Sequence, residues 1–243
     1  MENLNILPII DKSDSYNIKK EVICDIPFKM AICGKSQLSG KTTMALNLII
    51  RNEYYGKDFE GENIYIVSPS LETPKLKKLI KYKKIPDENL YASYEEDEME
   101  DLYSQLEEDF YDKVNNNEKP NHSLILFDDI GYSGKLRDIK NGVMDKIASA
   151  GRHLLISTML LVQKYTQLSP CFRENMNGLI AYGCSYNQLE FIINEHNTSK
   201  NKKKFIEAFL DATNKKHSFF FINYSNDFQK RYMENFNKYI DLS

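Results

Sequence analysis

Gly40-Lys41-Thr42 is a tripeptide suited to gripping phosphate. It offers backbone that can wind round an anion, an ammonium to reach terminal phosphates and a hydroxyl to meet a divalent cation. It follows the apolar run Phe28–Cys33, and Gly34, Ser39 and Thr43 complete the candidate phosphate loop. Two further apolar runs end in groups that the same ligand would need. Ser123-Leu-Ile-Leu-Phe127 ends in Asp128-Asp129, and Leu154–Val162 ends in Gln163. Asp128 and Thr42 are the candidates for holding Mg²⁺, and Asp129 for orienting or deprotonating an attacking water. Gln163 is placed to touch a γ-phosphate or that water. In an open parallel sheet, ligands bind beyond the carboxyl ends of the strands, so neighbouring strands would bring all three signals to one edge.

Each signal has a plainer alternative: a chance Gly-Lys-Thr in a loop, an Asp-Asp-x-Gly turn after a strand, a strand-end amide facing solvent. Context favours the chemical reading, because the tripeptide lies between an apolar strand and a helical pattern. Adjacent carboxylates closing a buried strand also call for a cation or a capped turn. The loop departs from the usual spacing, running G-x5-GKT from Gly34 rather than G-x4-GKT. Either it carries one extra residue, or Lys35 takes the first position and Gly34 makes the turn.

The elements that must position these groups follow from periodicity. Strands are expected at 27–33, 63–67, 123–128, 154–162, 178–182 and 218–224. Helices are expected from Lys41 to about Asn52, over 74–84, 95–114 and 138–150, around 187–196 and 201–212, and over 226–239 as a closing helix. The 95–114 helix carries ten acidic residues between Glu95 and Asp112 and reads as a solvated outer face. Alternating strands and helices predict an α/β fold, with a mostly parallel central sheet and helices on both faces. Residues 1–26 read as an N-terminal arm of short strands or irregular chain, and 27–243 as the phosphate-loop domain.

A chain of 243 residues, 42% hydrophobic and 28% charged, suffices for one sizeable α/β domain. No apolar stretch is long enough to span a bilayer, and Met1-Glu2-Asn3 does not open a secretory signal, so neither membrane insertion nor secretion is expected. The cysteines Cys24, Cys33, Cys171 and Cys184 form no CxxC pair and read as free thiols in a reducing compartment. A net charge of −3 confines any nucleic-acid contact to local basic patches. Lys135 and Arg137, in the loop after Asp129, are the first candidates, with the Lys75–Lys84 helix and 200–204 behind them.

One stretch resembles a specific family. Arg152-His153 with Ser157, the apolar run into Gln163, then Leu168-Ser-Pro170 and Arg173-Glu-Asn175, is similar to the genome-packaging ATPases of large DNA viruses, virophages and related transposons, in the FtsK–HerA superfamily. With Lys41 and Asp128-Asp129, the likeness spans about residues 27–224. It implies a P-loop NTPase of the additional-strand type, with the Gln163 strand between those of the phosphate loop and the aspartates. It implies ATP and Mg²⁺ as ligands, double-stranded DNA and capsid components as partners, and a homo-oligomeric ring, hexameric by preference. The implied location is the host cytoplasm or virus factory, with the virion as a further site. A ring of this kind needs an arginine acting in trans on a neighbour's nucleotide, and Arg152 and Arg173 are both candidates.

Two other functions compete. A nucleoside or nucleotide kinase would need an arginine-dense lid, which the chain lacks. A nucleotide-binding scaffold without turnover would tolerate the stretched loop. A GTPase is weaker, since Asn214-Lys215 is followed by Lys216-His217 and not by the aspartate that reads guanine.

Overall fold

The computed structural model describes residues 12–36, 39–130, 142–199 and 201–242. At its centre is one sheet of nine strands in the order β3-β2-β4-β5-β1-β6-β7-β8-β9. These are β1 (Lys29–Cys33), β2 (Ile64–Val67), β3 (Leu90–Tyr91), β4 (Ser123–Asp128), β5 (Ile156–Val162), β6 (Gly178–Tyr182), β7 (Phe219–Asn223), β8 (Tyr232–Glu234) and β9 (Lys238–Tyr239). The first six are parallel, and β7, β8 and β9 add on antiparallel.

Every residue of β1, β2, β4, β5, β6 and β7 is buried, as expected of strands covered on both faces. Alternate side chains enter two cores. Ala31, Phe127, Leu160 and Phe220 face α3 (Glu96–Asn115), α4 (Val143–Ala150), α5 (Pro170–Asn175), α6 (Tyr186–His196) and α7 (Lys202–Ala212). Met30, Leu126, Met159 and Phe221 face α1 (Lys41–Ile50), α2 (Pro74–Lys83) and the segment Ile23–Ile26. Helix starts follow local chemistry. Pro74 opens α2, while Ser169 accepts from the Phe172 N–H ahead of Pro170, and Asn201 accepts from the Lys204 N–H.

The expected closing helix over 226–239 is instead a 3₁₀ turn at Phe228–Lys230 followed by β8 and β9. Met233, Phe236 and Ile240 lie at helical spacing, but the stronger period is two. Tyr232 enters one core and Met233 the other, and Asn235 turns the chain at φ 52°. The remaining expected elements are present within a few residues of their expected limits, with helix 138–150 described only from Val143. The two-residue strand β3 and the short helix α5 go beyond expectation. Lys135, Arg137 and residues 1–11 lie outside the described residues.

Candidate active site

Register brings the three signals to one edge. Strand β5 lies between β4 and β1, with Asp128 beside Leu161 and Cys33 beside Val162. The Gly34 N–H donates to the Val162 carbonyl at 3.1 Å, which sets the first residue of the loop level with the end of β5. Gly34 has no room for a side chain: a Cβ there would lie 2.7 Å from the Ser39 Cβ and 3.0 Å from that of Tyr182. The loop is tightened by Ser39 Oγ, which donates to the Lys35 carbonyl at 2.8 Å.

Gly40 stands ahead of α1 at φ 81°, a left-handed conformation suited to glycine. No side chain caps this helix, and its first-turn N–H groups offer the positive end of the helix dipole to an anion. Lys41 Nζ donates to the Gly34 carbonyl at 2.8 Å, so the ammonium is folded against its own loop. Burial lowers the Lys41 pKa, while Asp128 and Asp129 oppose the shift.

Thr42 Oγ1 lies 3.1 Å from Asp128 Oδ2 and donates to it. Asp128 is only 5% exposed; burial raises its pKa, and the Thr42 hydroxyl and Lys41 pull it back. A buried carboxylate beside a hydroxyl, held above its ordinary pKa by lost hydration, is a hard-oxygen set suited to Mg²⁺. Asp129 is exposed and turns out of the strand at φ 59°, a conformation that aspartate tolerates better than most residues. Its Oδ1 accepts from Gln163 Nε2 at 3.1 Å. Gln163 is itself anchored, its N–H donating to Gln167 Oε1 at 2.9 Å.

Lys41, Thr42, Asp128 and Asp129 border a cleft of about 460 Å³ whose far wall is Ser70, Thr73, Pro74 and Lys75. Lys75, expected as part of a DNA-facing helix, thus enters the phosphate cleft and acts on Asp128. A second cleft of about 740 Å³ shares Ser39, Gly40 and Lys75 with the first and runs along α1 to His217, Asn235 and Phe236. His217 Nδ1 lies 3.4 Å from the Ser39 carbonyl. Phe236 packs on Phe219, Phe221 and Tyr54, with ring centroids 4.8, 5.1 and 5.3 Å away. No motif marks these residues; only the antiparallel return of β7 and β8 beside β6 brings them to the loop.

The two candidate arginines lie elsewhere. Arg152 is exposed beside Lys29, at the amino end of β1 and so at the opposite sheet edge from the phosphate loop. Arg173, on α5, pairs with Glu195 and lies over the Tyr165 ring at 5.6 Å. Tyr165 continues that network to His196 Nε2 at 2.7 Å, and His196 Nδ1 to Tyr224 at 2.8 Å. Ser157, part of the Arg-His-x3-Ser pattern, accepts from the Phe28 N–H at 3.2 Å and so fixes the approach to β1.

A mostly parallel sheet with an extra strand between the phosphate-loop strand and the aspartate strand defines a P-loop NTPase of the additional-strand type. Within that class the chain belongs to the family described as Poxvirus A32 protein, matched over residues 15–233. The resemblance to the FtsK–HerA genome-packaging ATPases is thereby upheld. No curated protein sequence matches the chain.

Among solved structures, the genome packaging NTPase B204 of Sulfolobus turreted icosahedral virus 2 in complex with AMP is similar, at TM-score 0.55 and 15% identity, covering 81% of this chain and 92% of that one. Its AMPPCP complex gives TM-score 0.52 at 15% identity, with the same coverage of both chains. EssC (ATPases 2 and 3) of Geobacillus thermodenitrificans gives TM-score 0.51 at 12% identity, covering 72% of this chain and 35% of that one. At such identities the likeness establishes the fold.

Proposed function

We propose that the chain is an ATP-hydrolysing motor that moves double-stranded DNA into a viral capsid. The observation that carries the reading is the convergence of Lys41, Thr42, Asp128, Asp129 and Gln163 on one sheet edge. Family membership and the packaging NTPase among the structural neighbours support the substrate and the setting.

In this mechanism the triphosphate lies along the loop from Gly34 to Thr43, over the first turn of α1. Lys41 leaves the Gly34 carbonyl and turns to the terminal phosphates, exchanging a neutral acceptor for a charged one. Thr42 and Asp128 would hold Mg²⁺, which would supply charge neutralisation to the phosphates. Asp129 takes or orients the proton of the attacking water, and Gln163 holds Asp129 in place while sensing the γ-phosphate. The nucleoside extends past Thr43 into the cleft of His217, Asn235 and Phe236.

Lys135 and Arg137 follow Asp129 in the chain and would touch DNA phosphates without reading sequence, close in sequence to the proposed hydrolytic aspartate. A hexameric ring acting with capsid components in the host cytoplasm or virus factory, and an arginine (Arg152 or Arg173) working in trans, complete the proposal. Residues 27–243 would form the ATPase domain and 1–26 its arm. ATP hydrolysis measured with and without duplex DNA, beside Lys41→Ala, tests it. DNA-stimulated turnover that Lys41→Ala abolishes is expected. Phosphoryl transfer to a nucleotide acceptor would mark a kinase instead, and binding without turnover a scaffold.

A further inference from the structure

The phosphate cleft holds a charge balance that the loop alone does not set. Among the described residues that line it, two carboxylates, Asp128 and Asp129, stand against two ammonium groups. Lys41 comes from the loop, and Lys75 from the first turn of α2 on the opposite wall. Without Lys75 the lining would carry more negative charge than positive, and a polyphosphate arriving with its metal is itself an anion. Like charges that face one another in a partly dehydrated cleft weaken binding.

Lys75 is placed by packing. After β2 the chain turns where the Ser70 N–H donates to Ser68 Oγ at 3.1 Å and the Thr73 N–H to the Ser70 carbonyl at 3.0 Å. Pro74 then opens α2, and Leu76 and Leu79 bury in the core that Ala45, Leu48 and Ile49 of α1 share. Because α1 starts at Lys41 and packs beside α2, the first turns of both helices border one cleft. Other lysines of α2 are engaged: Lys77 pairs with Glu72, and Lys83 donates to the Gly56 and Phe59 carbonyls at 2.8 Å. Lys75 is exposed, and among the described residues no carboxylate forms an ion pair with it. Its charge acts on Asp128 across the cleft. It also lines the neighbouring cleft along α1, so it stands where a phosphate chain would pass from the loop toward its nucleoside.

We infer that Lys75 is a second phosphate-binding residue, which grips the triphosphate in cis from the wall facing Lys41. The inference rests on the triphosphate lying along the loop, as proposed above. Lysine is a point charge on a flexible stem, so the ammonium can turn from Asp128 to an incoming phosphate oxygen while its helix stays packed. The bound phosphate chain then bridges α1 and α2.

Binding of ATP and of inorganic tripolyphosphate to the full chain, each with Mg²⁺ and in competition with a fluorescent nucleotide, reads the contact. Lys75→Gln should weaken both ligands about tenfold or more, as loss of a charge-assisted hydrogen bond does. Lys75→Arg, which keeps the charge, should recover most of that affinity. Lys78→Gln removes the same charge from an exposed position of α2 that lines neither cleft, and should bind both ligands as wild type does. Lys41→Ala is the reference. If it too leaves tripolyphosphate binding unchanged, the phosphate-loop reading fails and takes the inference with it. If Lys41→Ala abolishes binding while Lys75→Gln matches wild type, the inference alone is overturned. Equal losses in Lys75→Gln and Lys78→Gln also overturn it, since the charge of the whole helix would then act at a distance. Unchanged ATP binding with weakened binding of duplex DNA in Lys75→Gln would overturn it and return Lys75 to the basic face of α2.

Discussion

Gln163 Nε2 donates to Asp129 Oδ1 across 3.1 Å, joining the end of β5 to the end of β4. The contact explains why Asp129 keeps a left-handed backbone at φ 59°: that turn carries the carboxylate out of the strand and toward the amide. Conformations of this kind cost on the order of 1–3 kcal/mol and persist where surrounding contacts fix them. The pair is thus positioned before any ligand arrives, and in the proposed mechanism a change at the γ-phosphate would pass through Gln163 to the proposed base.

Asp129→Asn should separate binding from chemistry. An asparagine can still accept from Gln163 through its carbonyl, so the edge keeps its geometry while the proton acceptor is lost. ATP affinity should stay within about threefold of wild type, and turnover should fall by about 10²–10⁴. Equilibrium binding beside steady-state phosphate release measures both; normal turnover would remove Asp129 from the proposed role of base.

Gly34→Ala should damage the loop without touching any charged group. The added methyl meets the Ser39 Cβ at 2.7 Å, a contact that backbone or Ser39 must relieve. Overpacking of this order costs about 1–3 kcal/mol. Part of that should appear in urea unfolding, and ATP binding should weaken because Ser39 and Gly40 move with the strain. An alanine variant with unchanged nucleotide affinity would show that the close approach of Gly34 and Ser39 is not needed for phosphate binding.

Phe236→Ala probes the nucleoside cleft. The ring stands on Phe219 and Phe221 beside the loop, and an aromatic contact to a base contributes about 0.5–1.5 kcal/mol. ATP should bind up to about tenfold more weakly, whereas inorganic tripolyphosphate, which has no base, should bind as to wild type. Competition of both ligands against a fluorescent nucleotide separates the two effects, and equal losses would place the nucleoside elsewhere.

How far the sequence alone reaches is visible at this edge. Strand, loop and carboxylate motifs were legible because each is contiguous: Phe28–Cys33 into Gly40-Lys41-Thr42, and Ser123–Phe127 into Asp128-Asp129. The order of the central strands followed from the family resemblance, and the register bears it out. The cleft beside α1 proposed for the nucleoside was not legible, because His217, Asn235 and Phe236 meet Gly40 only through tertiary folding. The closing helix failed because helical spacing among Met233, Phe236 and Ile240 hid a two-residue alternation that buries Tyr232 and Met233 on opposite faces. Lys75 was read with the charge of its helix, and only the packing of α2 beside α1 carries it into the phosphate cleft.

Acid should destabilise the chain through His196. The imidazole is buried between Tyr165 and Tyr224, and burial, with a smaller contribution from the Arg173 guanidinium, brings its pKa down to about 4. An unfolded histidine titrates near 6.5, so below that pH the unfolded chain takes up a proton that the folded chain refuses. Stability from this group is therefore full above about pH 6.5 and is lost progressively as pH falls toward 4. The loss at pH 5 should be about 2 kcal/mol relative to pH 7.5. Urea unfolding at both pH values, on wild type and on His196→Gln, isolates the effect. The variant is expected to be less stable at pH 7.5, because it loses contacts to Tyr165 and Tyr224, yet to show a pH dependence smaller by about that amount. An equal acid loss in both proteins would mean that other groups carry the titration and that His196 is not held neutral by the fold.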